Sequence, residues 1–163
     1  MCPSQAFREA SAWVEALVIG YLPRSIIVES AGNPEVPITV LIAEDEELLR
    51  NLLARTLWAE GYRTLEARDG SMALHMARLA RPHLHLVITD IVMPNLDGRQ
   101  LGRYLGIECP EVPIIYISAF PPGDLFSRDA PAGSIFLQKP FSTEELQAAV
   151  RSCLSARRAK EKR

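Results

Sequence analysis

The stretch "LVITDIVMPNLDG", from Leu86 to Gly98, decides how this chain folds. It opens with a continuous apolar run rich in β-branched residues, which is typical of a strand buried on both faces of a parallel sheet. The run stops at Asp90, and Pro94 and Gly98 then indicate a turn. No lysine or arginine lies close to Asp90 in the sequence, so we expect partners for this carboxylate from distant parts of the chain.

Strands and helices alternate around this stretch from Ile38 onward. The predicted strands are Ile38–Asp45, Tyr62–Ala67, His83–Asp90, Val112–Ala119 and Ser134–Pro140. Predicted helices follow the first three strands and the fifth, and Ser142 with Glu145 fits a capping box at the start of the last helix. This alternation predicts an α/β fold, in which a doubly wound sheet of five parallel strands carries helices on both faces.

The segment between the fourth and fifth strands, "FPPGDLFSRDAPAGS", is rich in proline and glycine. A helix is expected there from the alternation, but these residues leave room for about two turns. We therefore predict a short or poorly formed fourth helix.

Composition excludes several classes of protein. The chain has 163 residues, 48% of them apolar and 23% charged, which is ordinary for a globular domain with an appendage. A formal net charge of −2 gives no support for nucleic-acid binding. The three scattered cysteines form no disulfide or metal-binding pattern, and no segment resembles a membrane span or a signal peptide. We expect a cytoplasmic protein.

Chemically suggestive residues end four of the predicted strands. Glu44 and Asp45 end the first, Asp90 the third, Ser118 the fourth and Lys139 the fifth. Each has an ordinary explanation alone, but sheets of this topology build their sites at the carboxyl ends of the strands. Three neighbouring carboxylates repel one another and favour a hard cation such as Mg²⁺, while a lysine suits a phosphoryl oxygen. The set indicates phosphoryl transfer to an aspartate.

The motifs "LIAEDEELL", "LVITDIVMPNLDG", "IIYISA" and "FLQKPF" resemble those of the receiver domains of bacterial two-component response regulators. The resemblance covers about Pro37 to Ala156, and the short region before the fifth strand is closest to the receivers of hybrid histidine kinases. It implies a flavodoxin-like sheet of strand order 2-1-3-4-5.

The resemblance also implies a role for each residue at the strand ends. Asp90 would be the phosphoacceptor. The implied Mg²⁺ ligands are Glu44, Asp45, Asp90 and the backbone carbonyl of Val92. The implied phosphoryl-binding and switch residues are Ser118, Lys139 and Phe136, and the implied lifetime-tuning residues are Val92 and Phe120.

Three positions depart from the commonest pattern of the family. The acidic pair is Glu44-Asp45 rather than two aspartates, the hydroxyl is Ser118 rather than threonine, and the switch aromatic is Phe136 rather than tyrosine. The apolar side chains of Val92 and Phe120 offer no group to position an attacking water. We therefore expect slow self-dephosphorylation.

The implied function is that of a single-domain response regulator. It would take a phosphoryl group from a phosphohistidine on a sensor kinase or phosphotransfer protein, with Mg²⁺ as cofactor, and signal by changed binding to a downstream protein that the sequence does not identify. It would be no enzyme beyond its own phosphorylation and dephosphorylation, and a homodimer stays open. The alternatives are a phosphate sink or detached receiver of a hybrid kinase, and an interaction module that does not use phosphorylation.

Other readings are weaker. A metal site at His83 and His85 lacks a third ligand nearby, and a haloacid-dehalogenase-type phosphatase would need an aspartate where Val92 stands. A flavodoxin is disfavoured because the acidic loop after the first strand would repel the phosphate of FMN.

The two ends fall outside the resemblance. Residues 1–36 form an N-terminal extension in which Phe7, Ala10, Val14, Leu17 and Tyr21 follow helical spacing; the alternative is a loosely held extension. Residues 157–163 form a basic C-terminal tail, for which a solvated helix end suffices as an explanation.

Overall fold

The computed structural model describes residues 37–121 and 131–161 of the chain. The strands are β1 Thr39–Ala43, β2 Arg63–Ala67, β3 Leu84–Asp90, β4 Ile114–Ser118 and β5 Ile135–Gln138. The helices are α1 Glu47–Ala59, α2 Gly70–Ala80, α3 Gly98–Glu108 and α4 Thr143–Glu161, and a short 3-10 turn at Arg81–His83 links α2 to β3. The N-terminal extension lies outside the described residues, as does most of the segment predicted to hold a short helix between β4 and β5.

The five strands form one parallel sheet in the order β2-β1-β3-β4-β5. This confirms the doubly wound fold and its strand order. The chain leaves β1 for β2 on one side and later returns to place β3 on the other. The order therefore reverses between β1 and β3, and sheets of this kind place their functional sites beyond the carboxyl ends of the strands at such a point.

Two apolar cores lie on opposite faces of the sheet. On one face α2 and α3 bury small and aliphatic residues, among them Ala73, Ala77, Leu101 and Leu105. On the other face α1 and α4 bury a second set of mainly aliphatic residues. The central strands β1, β3 and β4 are buried on both sides, which explains why their sequences are apolar without alternation.

Helix starts are mostly capped by side chains. The Asp97 carboxylate accepts the N–H of Gln100 at the start of α3, and the Gln100 side chain accepts the Asp97 N–H in return. At α4 the Ser142 hydroxyl accepts the N–H of Glu145, and the Glu145 carboxylate accepts the Ser142 N–H, which confirms the predicted capping box. At α1, by contrast, the Glu46 side chain makes no capping bond.

Strand boundaries differ from the predicted ones at the site. β1 ends at Ala43, so Glu44 and Asp45 lie in the loop after the strand, and Lys139 lies just after β5. The sequence pattern does not distinguish the last ladder residue from the first loop residue when the backbone stays extended. In the part of the chain that the structure describes, no helix is long and apolar enough to cross a bilayer.

Candidate functional site

Asp90 ends β3, the central strand between β1 and β4. Its side chain is almost fully buried. Its Oδ1 atom accepts the backbone N–H of Val92 at 2.8 Å, and its Oδ2 atom accepts a hydrogen bond from the Lys139 ammonium. The carboxylate at the end of this apolar strand therefore has its basic partner, supplied from the end of β5.

The acidic pair lies beside Asp90. Glu44 is only 1% exposed, and its backbone N–H donates to the Ala67 carbonyl at the end of β2. Asp45, the next residue, is exposed. Each of the three carboxylates contributes one oxygen to a group whose atoms all lie within 4.8 Å of one another. The sheet thus brings together the three acids predicted to form the site.

Lys139 links three strand ends. Its backbone N–H donates to the Ser118 carbonyl at 2.8 Å, which joins the ends of β5 and β4. Its Nζ atom donates to Glu44 Oε2 at 3.1 Å as well as to Asp90. The lysine is therefore the shared counter-ion of two buried carboxylates.

The charges of this group shift one another's pKa. Burial raises the pKa of Glu44 above its ordinary value, the negative charge of Asp90 raises it further, and Lys139 only partly opposes both effects. For Lys139, burial acts to lower the pKa, but the hydrogen bonds to Asp90 and Glu44 more than offset it, so the pKa is raised. The lysine therefore stays charged at neutral pH.

The donor set fits Mg²⁺. All three acids offer carboxylate oxygens, which hard divalent cations prefer. Three carboxylates and one ammonium leave a net charge of −2 when all are ionised, and this is the charge that a divalent cation balances. Glu44, Asp45 and Asp90 are the residues that would hold it. The ligand role of the Val92 carbonyl stays a prediction; the structure places the N–H of that residue on Asp90.

The predicted switch residues lie on β4 and β5. Ser118 is buried at the end of β4, where its Oγ atom accepts the backbone N–H of Phe120 at 3.1 Å. Phe136 lies on β5 opposite Tyr116 of β4, half-buried against the core under α2 and α3. Their response to a phosphoryl group on Asp90 stays a prediction.

Val92 and Phe120 expose apolar side chains next to the site. Val92 is 62% exposed and Phe120 is 69% exposed. Each lies two residues beyond a site residue, Asp90 and Ser118 respectively, to which its N–H donates. Neither side chain carries a polar atom that could orient water.

Arg50 is a neighbour of the site that was not predicted from the sequence. Its Nη1 atom donates to the backbone carbonyl of Glu44 at 2.8 Å and reaches that of Asp45 at 3.4 Å. One feature of the sequence could have drawn attention to Arg50: it is a basic residue in the first turn of α1, where the helix dipole disfavours positive charge.

The two histidines of "HLH" do not belong to the acidic group. His85 Nδ1 accepts the N–H of Thr39 at 3.1 Å, where the pairing of β1 with β3 is irregular. Among the described residues, the acids Glu44, Asp45 and Asp90 form the group suited to a metal ion, and neither histidine belongs to it.

Comparisons with known proteins agree with this geometry. Residues 40–151 match the family described as the response regulator receiver domain. The chain is 41% identical over 126 residues to the transcriptional regulatory protein PdtaR of Mycobacterium tuberculosis and 36% identical over 129 residues to the sensor kinase CckA of Brucella abortus. These alignments cover 76% and 78% of this chain.

The overlap with these relatives is partial on their side. The chain spans 60% of the length of PdtaR and 14% of that of CckA. Among solved structures, the receiver domain of the hybrid histidine kinase CckA is 33% identical, with a TM-score of 0.62 and coverage of 71% of this chain and 98% of that domain. With its parallel five-stranded sheet, its acids at the strand ends and this family match, the chain belongs to the response regulator receiver domains.

Proposed function

We propose that this protein is a single-domain response regulator of the cytoplasm that accepts a phosphoryl group on Asp90. The donor is a phosphohistidine of a sensor kinase or phosphotransfer protein. The observation that carries the proposal is the buried Asp90 carboxylate, held by Lys139 at the end of the central strand and grouped with Glu44 and Asp45. Its catalytic capacity is limited to gaining and losing its own phosphoryl group.

The transfer itself needs little covalent machinery. An oxygen of Asp90 attacks phosphorus, the phosphorus–nitrogen bond of the donor breaks, and the imidazole nitrogen leaves with the electron pair. The protein contributes positioning and charge neutralisation. Lys139 and the N–H of Val92 already fix the orientation of the carboxylate. Mg²⁺, when bound by the three acids, supplies positive charge to the phosphoryl oxygens.

The signal follows from the contacts that Lys139 and Ser118 would change. A phosphoryl group on Asp90 offers new acceptor oxygens, and Lys139 and the Ser118 hydroxyl are the nearby groups that can donate to them. Ser118 would give up the N–H of Phe120, and the half-buried Phe136 on the neighbouring strand would repack. The result is a shift between two states of the surface near β4 and β5, read by a downstream protein.

An exposed apolar strip on α1 suits the docking of a donor protein. Leu48 and Leu52, one turn apart, are 79% and 57% exposed, and Leu48 follows the site residue Asp45 by three positions. Neighbouring exposed apolar side chains are typical of a protein-docking surface. A small phosphodonor would not need this surface, whereas a kinase would.

Mass spectrometry of the intact protein tests the central claim. The full chain is incubated with acetyl phosphate and MgCl₂, and we expect it to gain the mass of one phosphoryl group. Asp90→Asn should abolish the gain. Asp97→Asn is the matched control, because Asp97 caps α3 from the same loop and asparagine caps equally well. A gain retained in Asp90→Asn would refute the assignment of the acceptor.

A phosphohistidine donor is the second arm of this test. Leu48→Ala with Leu52→Ala should slow transfer from a kinase or phosphotransfer protein and leave the reaction with acetyl phosphate unchanged. Ile107→Ala is the matched control, since Ile107 is 81% exposed on α3, a helix on the opposite face of the sheet. If wild type takes no phosphoryl group from either donor, the alternative of a phosphorylation-independent interaction module gains support.

The similarity to CckA favours a second candidate function, a receiver that serves a hybrid kinase or acts as a phosphate sink. Such a receiver exchanges phosphoryl groups with its donor in both directions. Purified phosphorylated chain mixed with the unphosphorylated donor separates the two functions: rapid return of the phosphoryl group indicates a sink or relay, and retention indicates an output regulator.

A further inference from the structure

Arg50 bridges the backbone of the acidic pair. Its Nη1 atom lies 2.8 Å from the Glu44 carbonyl oxygen and 3.4 Å from that of Asp45, two consecutive residues whose side chains both belong to the acidic group. Its Nε atom lies 3.9 Å from a carboxylate oxygen of Glu66 on β2. One guanidinium therefore connects α1, the loop after β1 and the edge strand.

The position of Arg50 is unfavourable unless these contacts compensate for it. It lies in the first turn of α1, where the helix dipole repels positive charge. The helix also begins without a side-chain cap from Glu46, although the N–H of Glu46 donates to Glu44 Oε1 at 3.3 Å. The guanidinium makes its contacts while mostly buried, with a side chain 17% exposed. Hydrogen bonds from a charged donor are the stronger kind, so these contacts hold the loop.

Glu44 and Asp45 need such an external restraint. The three carboxylates offer oxygens within 4.8 Å of one another and repel each other, and the single ammonium of Lys139 balances one of their three charges. Bonds to the two backbone carbonyls resist this without occupying any carboxylate oxygen. The carboxylates stay available for a cation.

We propose that Arg50 is a positioning residue for the Mg²⁺ site, in which its guanidinium fixes the backbone of Glu44 and Asp45 so that their carboxylates meet Asp90. This rests on the proposed function in so far as that function requires Mg²⁺. The role belongs to the guanidinium as a whole, because Nη1 contacts the two carbonyls while Nε faces Glu66, and the single nitrogen of a lysine cannot make both sets of contacts at once. Partners beyond the first ligands commonly change metal affinity by 10- to 100-fold.

A titration with MgCl₂ in the absence of any phosphodonor tests the role. The backbone amide signal of Val92, which reports on Asp90, is followed by ¹H–¹⁵N NMR in the full chain. We expect Arg50→Lys and Arg50→Met each to weaken Mg²⁺ binding roughly tenfold. Arg55→Met is the matched control on the exposed side of the same helix, and its affinity should stay within about twofold of wild type. Lysine and methionine are strong helix formers, so α1 keeps its helix propensity.

The amide of Glu46 gives a second readout that needs no metal. Its N–H donates to Glu44, so its signal should shift in Arg50→Lys without Mg²⁺ and stay in place in Arg55→Met. Because Arg50→Lys keeps the charge, a shift of this signal in that variant indicates a rearranged loop.

Three results overturn the proposal. Wild-type affinity in Arg50→Lys together with tighter binding in Arg50→Met would assign an electrostatic role instead. Lower resistance to urea with unchanged Mg²⁺ affinity in both variants would assign a structural role. If wild type itself does not respond to Mg²⁺, the proposed function fails on its metal requirement, an outcome distinct from a failure of Arg50 alone.

Discussion

The ammonium of Lys139 holds the carboxylates of Asp90 and Glu44 together across the ends of three strands. It donates to both at once, at 3.1 Å in the case of Glu44, and its own backbone is fixed to Ser118. The lysine that would bind a phosphoryl group thus already serves as counter-ion in the unphosphorylated state. Phosphorylation would change the partner of an existing charge rather than introduce a new cation.

Replacement of Lys139 by methionine should make the stability of the fold more dependent on Mg²⁺. Without the ammonium, Asp90 and Glu44 face each other and Asp45 without a cation. We expect the free energy of unfolding in EDTA to fall by about 1–3 kcal/mol, below the usual cost of breaking a fully buried pair because the lysine is partly solvated. Urea unfolding with and without MgCl₂ measures the effect, and Mg²⁺ should stabilise the variant more than wild type.

Lys139→Arg is the control for this change, since it keeps the charge. It should lose less stability in EDTA than the methionine variant. Equal stabilisation by Mg²⁺ in wild type and in Lys139→Met would contradict the view that lysine and metal neutralise the same carboxylates.

Gly98 lets the start of α3 approach Asp90. A Cβ atom at this position would overlap the Asp90 carbonyl oxygen. Gly98→Ala should therefore lower the free energy of unfolding by about 1–3 kcal/mol, although alanine is the better helix former. Arg99→Ala, at the exposed next position, should change stability little. Thermal unfolding of both variants checks this, and a neutral Gly98→Ala would mean that the loop yields without cost.

The buried thiol of Cys153 should make the protein less stable in alkaline solution. Burial in the core under α1 and α4 raises the pKa of its thiol from about 9 to about 11. Well below pH 9 the thiol is neutral in both states. Between pH 9 and 11 the unfolded chain releases the proton and the folded chain keeps it, so stability falls as pH rises through this window. Urea unfolding at several pH values should show a shallower decline in Cys153→Ala than in wild type, and parallel declines would refute the prediction.

The convergence of the site could be predicted because parallel topology decides it. Once "LVITDIVMPNLDG" is recognised as a buried strand ending on an acid, the other strands must end at the same edge. The residues at the strand ends meet there as a consequence: Glu44, Asp45, Asp90, Ser118 and Lys139. The chemistry of their side chains follows directly from the residue types in the sequence. That one lysine contacts two acids could not be predicted, because this depends on side-chain conformation, which strand order does not specify.

Arg50 and Gly98 could not be predicted for a related reason. Arg50 acts on backbone carbonyls, which every residue possesses, so no complementary residue in the sequence identifies its target. The importance of Gly98 depends on how closely α3 approaches β3, which is a tertiary distance. Predictions from side-chain type fail where the partner is the main chain.

The lifetime of the phosphoryl group is governed, we expect, by Val92 and Phe120. Both are exposed, apolar and held by their N–H groups beside Asp90 and Ser118, so neither can orient a water for attack on phosphorus. Val92→Asn and Phe120→Glu each introduce a polar group at these places and should shorten the lifetime several-fold, since a positioned proton-transfer group is worth up to 10²–10⁴ in rate. The decay of the phosphorylated mass after removal of acetyl phosphate gives the lifetime. Ile107→Ala, at an exposed position in the last turn of α3, is the control and should decay as wild type does. Unchanged decay in both site variants would show that access of water, and not its orientation, limits hydrolysis.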